Sequence, residues 1–191
     1  MSVSGIMSYI WVIFWAYWLL SGLETRSKIK KEKSGENPLY RIVHVTLEAF
    51  SILIVIVRFN RVLIWKEIIA GNSIVDFVGL IIVFVGLMFS IWAKLVLGKN
   101  WSGAIQKVEK QELVKSGPYK YIRHPIYTGI IVGLIGSLII NRNFSSLFAV
   151  IIVTVLYIVK VNKEQKFLIK EFGEQYTEYI KKSWALFPLI Y

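Results

Sequence analysis

The chain of 191 residues contains no cysteine. Disulfides, thiol nucleophiles and cysteine metal sites are therefore excluded. Histidine is nearly as scarce. His44 and His124 are the only two, and their separation suggests no metal-ligand cluster. Acidic residues number 12 against 23 Lys and Arg, giving a formal net charge of +11. In a soluble protein that surplus would raise nucleic acid as a partner. Here the basic residues flank apolar runs, as in loops that face anionic lipid, so no nucleic-acid partner is expected. No internal repeat and no low-complexity segment is visible.

Apolar residues are plentiful instead. They make up 55% of the chain, and the mean hydropathy is +0.57. Ordinary soluble domains use about 45–50%. Five apolar runs stand out, at 6–23, 42–57, 74–97, 126–140 and 144–159. The first lacks a basic leader and a small-residue cleavage site, so it reads as a retained span. Backbone in lipid must satisfy its own hydrogen bonds, so each run is predicted to be helical. The fold class predicted is an all-α polytopic membrane bundle with five transmembrane helices. The fourth and fifth form a helical hairpin across Asn141-Arg142-Asn143. Phe167, Leu168, Phe172, Tyr176 and Tyr179 recur at helical spacing in the tail and predict an amphipathic C-terminal helix. Residues 24–41 read as a solvated loop, and 58–73 as a connector with an interfacial apolar stretch.

The whole chain, 1–191, reads as one integral membrane domain. Its parts are a three-helix membrane portion (1–97) and a cofactor-binding catalytic portion (98–191). Gly79 and Gly86 are seven apart, so they share a helix face and permit close approach of a neighbour. His44 and Glu48 are one turn apart near the start of the second run. They read as an interfacial pair, where polar groups are cheaper than at the bilayer centre. A substrate-facing pair is the alternative. Lys and Arg cluster in 24–41, 94–125 and 160–191, which hold 19 of the 23. With five spans these segments fall on one side, the positive-inside pattern. The expected location is the cell (plasma) membrane, with the amino terminus outside and the carboxyl terminus cytoplasmic.

The stretch 117–129, GPYKYIRHPIYTG, sits where the fourth run begins. Gly117-Pro118 sets a turn, and Pro125 suits the first turn of a helix because its missing N–H is an orphan there anyway. Arg123 and His124 then lie at a helix mouth, where free N–H groups and a positive field suit a carboxylate. Tyr119, Tyr121 and Tyr127 offer hydroxyls and ring faces, and ring faces attract cations such as a sulfonium. Lys160 and Glu164 are four apart and share a helix face. Alone they describe a surface ion pair. A hairpin that brings them back beside Arg123-His124 makes them site candidates.

The pattern GxY-xxx-RHPxYxG, then a hairpin, then EQKFLIKEFGEQYTEY and a closing LFP, closely resembles the isoprenylcysteine carboxyl methyltransferase family. The resemblance runs from about Asn100 to the end and looks like a short prokaryotic member. It implies an integral membrane methyltransferase using S-adenosyl-L-methionine, bound on the cytosolic side. It further implies a lipophilic small-molecule or lipid acceptor reached from the bilayer, and contact with membrane lipids. The acceptor implied is a carboxylate of the isoprenylcysteine type. Cofactor contacts carried over by matching positions are Gln106, Gln111, Glu112, Leu113, Val114, Tyr119, His124, Pro125, Ile126, Tyr127 and Glu164. Lys160, Glu164 and Arg123 are the implied catalytic residues, with no metal. Two departures stand out. Lys160 replaces the family's usual arginine, and a lysine cannot form a bidentate fork to a carboxylate. Gln165 stands where a second glutamate is often found. Other readings of the same residues are a phospholipid or small-amine N-methyltransferase, with Glu164 or Glu48 as base. An NADPH-dependent sterol-type membrane reductase, which usually has more spans, and a non-enzymatic membrane scaffold complete the set.

Overall fold

The structure is a computed structural model that describes residues 2–28, 36–57, 66–106 and 111–190. Part of the expected solvated loop (29–35), half of the connector (58–65) and residues 107–110 lie outside the described residues. Among the described residues six α-helices run in order: α1 (Val3–Lys28), α2 (Pro38–Ile56), α3 (Ser73–Leu97), α4 (Pro125–Asn141), α5 (Phe144–Phe172) and α6 (Glu174–Lys181). No strand occurs among the described residues, only an isolated bridge between Ile122 and Trp184.

Helices α1, α2, α3 and α5 are long and apolar enough to cross a membrane. Helix α4 has 17 residues. At about 1.5 Å per residue it spans roughly 25 Å, short of a hydrocarbon core of about 30 Å. The ends are set by local chemistry. Asn37, Asn72 and Asn143 cap α2, α3 and α5 by accepting from backbone N–H groups one turn ahead. Pro38 and Pro125 occupy first-turn positions of α2 and α4.

Helix α4 packs most tightly on α3, the element before it, rather than on its hairpin partner α5. Glycine makes this possible. A Cβ on Gly86 would stand 2.7 Å from both the Gly129 carbonyl oxygen and the Gly133 nitrogen. A Cβ on Gly136 would stand 2.7 Å from the Gly79 carbonyl and the Val83 nitrogen. Two glycine steps therefore bring the backbones together, as small residues do in lipid. Ser90 Oγ donates to the Ile126 carbonyl at 2.7 Å within this seam. Helix α1 joins from the other side, where Trp11 Nε1 donates to Ser137 Oγ at 2.8 Å. The buried core runs through Trp11, Val83, Leu87, Leu134, Val153 and Tyr157.

One end of the bundle is closed by the turn after α4. Arg142 takes a left-handed conformation (φ 47°) and pairs with Asp76 at the start of α3. Its carbonyl accepts from Ile68 N at 2.8 Å, and Asn141 Nδ2 donates to the Val55 carbonyl at 3.2 Å. The opposite end gathers the starts of α2 and α4 and the outgoing end of α5. There the expected arrangement needs revision. Helix α5 does not stop at 159 but continues as one rod to Phe172, breaking only at Gly173 (φ 54°). The amphipathic tail helix is thus two pieces. Phe167, Leu168 and Phe172 belong to the end of α5, and Tyr176 and Tyr179 to the short α6.

Candidate functional site

The mouth of α4 is shaped by its flanks. Gly117 takes φ 57°, and Pro118-Tyr119 form a tight turn that buries both. The chain then runs beside the tail. Arg123 N donates to the Trp184 carbonyl at 2.8 Å, His124 N to the Ala185 carbonyl at 3.0 Å, and Thr128 Oγ1 to the Leu186 carbonyl at 2.7 Å. The closing residues are thereby zipped along the strip that carries Arg123 and His124. Tyr179 Oη donates to the Tyr119 carbonyl. Burial lifts the Tyr119 phenol above its usual range and pushes that of Tyr179 up to about 12, so both stay neutral.

At this mouth His124 Nδ1 lies 3.2 Å from Glu164 Oε2, and Tyr127 Oη donates to Glu164 Oε1 at 2.6 Å. The His124 and Tyr127 rings are nearly parallel, with centroids 5.8 Å apart. Lys160 Nζ stands 5.3 Å from the Tyr127 ring centroid. His124 is buried and Glu164 is 19% exposed. Four expected residues, His124, Tyr127, Lys160 and Glu164, therefore meet in one cluster. Pro125 and Ile126 form the buried first turn of α4 beside it.

Other candidates are placed differently. Arg123 Nη1 donates to the carbonyls of Ile180 (3.2 Å) and Ser183, so its guanidinium holds the end of α6. The Glu112 carboxylate faces Lys99 at 3.3 Å with both side chains well exposed, while its backbone N–H donates to Asn100 Oδ1 at 2.8 Å. Gln106, Gln111 and Leu113 are half-buried, and Val114 packs on the core. Tyr121 is 55% exposed and lies outside the cluster.

Tyr157, which is not among the residues expected from the sequence, joins the cluster. Its ring stacks on Tyr127 at 4.5 Å, and its hydroxyl donates to Glu48 Oε1. Tyr157, Lys160 and Glu164 are spaced three and four apart, one face of a helix, and that spacing was the available signal. Through Tyr157 the cluster extends to α2. His44 and Glu48, expected as a pair near the start of α2, pack against α5. They are 3% and 14% exposed and point inward at α5. A methyl donor with a cationic sulfur and an amino-acid carboxylate would find stacked phenol faces, the Glu164 carboxylate and a helix start here. His124 Nε2 is buried with no hydrogen-bond partner among the described residues, which fits a site built for a polar ligand.

Comparison with known proteins agrees with this architecture. The profile of the isoprenylcysteine carboxyl methyltransferase (ICMT) family matches residues 78–170. The match thus begins inside α3, earlier than Asn100, and stops before α6. A protein-S-isoprenylcysteine O-methyltransferase of Xenopus laevis is 34% identical over 116 residues, covering 59% of this chain and 40% of that protein. One from Schizosaccharomyces pombe is 29% identical over 101 residues, covering 51% and 43%. A relative in Oryza sativa subsp. indica is 29% identical over 119 residues, and the chain spans 62% of that protein's length. A solved structure of the eukaryotic intramembrane Ras methyltransferase ICMT shares the fold, with TM-score 0.58, 22% identity, 82% of this chain and 54% of that one.

Proposed function

We propose, for a chain that belongs through residues 78–170 to the isoprenylcysteine carboxyl methyltransferase family, that it methylates the carboxylate of a lipophilic, isoprenylcysteine-type acceptor. The donor is S-adenosyl-L-methionine, which supplies a methyl group already activated by its positive sulfur. The observation that carries this reading is the convergence of His124, Tyr127, Glu164 and Lys160 at the mouth of α4.

On this reading each residue takes a role. His124, Tyr127 and the first turn of α4 hold the donor, while Tyr119, Gln106, Gln111, Glu112, Leu113 and Val114 are donor contacts by the family resemblance alone. Glu164 orients His124 and Tyr127 and offers negative charge to the donor's cationic part. Lys160 steers the acceptor carboxylate over the Tyr127 face. A lysine acts there as a point charge rather than a fork, so it attracts the anion without dictating its rotation. Arg123 keeps the tail in position over the site. Holding donor and acceptor in line contributes about 7–11 kcal/mol to lowering the barrier. The positive-inside count supports a cytoplasmic placement of this end and of the carboxyl terminus, in the cell membrane. The relatives' names put the acceptor on a protein, whereas the sequence reading expects a small lipophilic molecule. Both present the same prenylated cysteine carboxylate to Lys160.

The test is methyl transfer from labelled donor in nanodiscs. A methyl ester is released by mild base as methanol, while an N-methyl product keeps its label. Base-labile label supports the proposal, and base-stable label in an amine lipid overturns it. Lys160→Ala is expected to lower kcat/KM for the acid about 10²-fold while S-adenosylhomocysteine affinity stays within twofold. Loss of both together would remove Lys160 from the acceptor side.

A further inference from the structure

Beyond the cluster at the α4 mouth, α2 carries Tyr40, His44, Glu48 and Ser51 at spacings that put them on one face. His44 is 3% and Ser51 0% exposed. Both ring nitrogens of His44, the Ser51 hydroxyl and the Tyr40 hydroxyl have no hydrogen-bond partner among the described residues. Buried polar groups are nearly always paired; Glu48 Oε2, 3.8 Å from His44 Nε2, is beyond hydrogen-bond reach, so this buried imidazole points to a ligand.

The register of α2 against α5 says which ligand group it meets. Tyr157 donates to Glu48, and Lys163 Nζ stands 3.3 Å from the Tyr40 ring centroid. One turn from Glu48 toward Tyr40 lies His44. One turn from Tyr157 toward Lys163 lies Lys160. The two are therefore level, and the His44 ring sits 6.3 Å from that of Tyr157. Lys160 Nζ also stands 5.3 Å from the ring centroid of Tyr127 on α4.

We propose that His44 is the base that receives the acceptor's proton, with Glu48, 3.8 Å from His44 Nε2, stabilising the imidazolium. This rests on the carboxyl-methylation reading above. A carboxylic acid that travels through hydrocarbon travels neutral, because a bare carboxylate is costly there. As a neutral acid it is a weak nucleophile. On reaching Lys160 its O–H proton moves to a ring nitrogen of His44, and the carboxylate formed pairs with the Lys160 ammonium. A carboxylate oxygen then bonds to the sulfonium methyl carbon as the carbon–sulfur bond breaks, with that electron pair staying on sulfur. A methyl ester, a thioether and one proton result, and the proton leaves His44 for water at the open end of the bundle.

The other bases are occupied. Glu164 accepts from Tyr127 and faces His124, and Glu48 Oε1 accepts from Tyr157. His124 belongs to the donor side. The charged groups facing His44 are Glu48 on its own helix and Lys160, Lys163 and Glu164 on α5, and the phenols of Tyr40 and Tyr157 flank it. The two lysines offset the two carboxylates, so the buried imidazole has no surplus of negative charge to hold a proton by itself. The imidazolium is then balanced by the substrate carboxylate that forms with it.

The experiment uses the full chain in nanodiscs with an S-prenylated N-acetylcysteine carrying ¹³C at its carboxyl carbon, bound without donor. The carboxyl ¹³C shift reports its ionisation. At about pH 6 the wild type holds the acid ionised, and His44→Gln holds it neutral. Glu48→Gln moves half-ionisation to higher pH, because the imidazolium has lost its counter-charge. With donor present, His44→Gln loses about 10²-fold in rate and regains part of it as pH rises. S-adenosylhomocysteine binding, unchanged in both variants, reports that they fold. An ionised acid in His44→Gln, with methyl ester still formed at the wild-type rate, overturns the role of His44 and leaves carboxyl methylation standing. Absence of ester from the wild type removes the underlying reading first.

Discussion

Replacing Glu164 with alanine is expected to weaken S-adenosylhomocysteine binding about 10³-fold and to lower kcat/KM by at least as much. Glu164 uses both oxygens, one toward His124 Nδ1 at 3.2 Å and one accepting from Tyr127 at 2.6 Å. Hydrogen bonds to a charged group contribute about 1.5–3 kcal/mol each, so the pair amounts to roughly 4 kcal/mol, or about three decades. The loss falls on function because His124 and Tyr127 are the groups assigned to the donor. Freed of the carboxylate, the imidazole can rotate out of its stack on Tyr127. Glutamine at this position keeps one acceptor oxygen but turns an N–H₂ toward the other partner, so it is expected to recover about one decade of the loss. Isothermal calorimetry with the detergent-purified chain measures both. Alanine at 164 with wild-type affinity would detach Glu164 from the donor and leave the α4 mouth without its anchor.

The second large effect is structural. Gly86→Val is expected to destabilise the fold by about 3 kcal/mol and to lower the unfolding midpoint by about 10 °C. Its Cβ would meet backbone atoms of Gly129 and Gly133 at 2.7 Å, and backbone in a packed helix cannot step aside as a side chain can. The strain reaches the site directly, since Gly129 lies one turn from the Pro125–Ile126 start of α4. Gly22→Ala is the matched control. A Cβ there meets only Trp101, at an ordinary 3.7 Å, so thermal unfolding followed by circular dichroism should show little change. An unchanged midpoint for Gly86→Val would mean that α3 and α4 do not meet through these glycines.

Much of the helix layout was legible in the chain. The third run, read as 74–97, is observed as Ser73–Leu97, and the fourth, read as 126–140, as Pro125–Asn141. Asparagine caps and first-turn prolines mark these ends in the sequence itself. The end of α5 was misread because a change from apolar to charged residues marks where a helix leaves lipid, not where it stops. Lys160, Glu164 and Lys170 are good helix formers, and only the positive φ of Gly173 breaks the rod. The seam between α3 and α4 was half legible. The Gly79–Gly86 spacing announced a close neighbour but could not say which helix would fill it.

The clustering at the α4 mouth was legible where a motif carried it and obscure where only packing did. His124, Tyr127 and Glu164 follow from the RHPxYxG pattern and from the hairpin that returns α5 beside it. Tyr157 sits in an apolar run, where an aromatic reads as core. Whether His44 and Glu48 face lipid headgroups or the bundle interior depends on how α2 is rotated, and the pattern of a nearly all-apolar helix leaves that angle open. The stripe Tyr40, His44, Glu48, Ser51 settles it only once α5 is seen to carry complementary groups at the same levels.

Helix α5 also places the site's charges on the same rod that is gripped by hydrocarbon. Helix α4, which begins just after His124 and carries Tyr127, is 12 residues shorter, 17 against 29. A thicker or thinner bilayer changes the tilt of a long helix more readily than that of a short one wedged against its neighbour. The distance from Glu164 to His124 is therefore expected to vary with acyl-chain length, which would make the bilayer a mechanical setting on that pair.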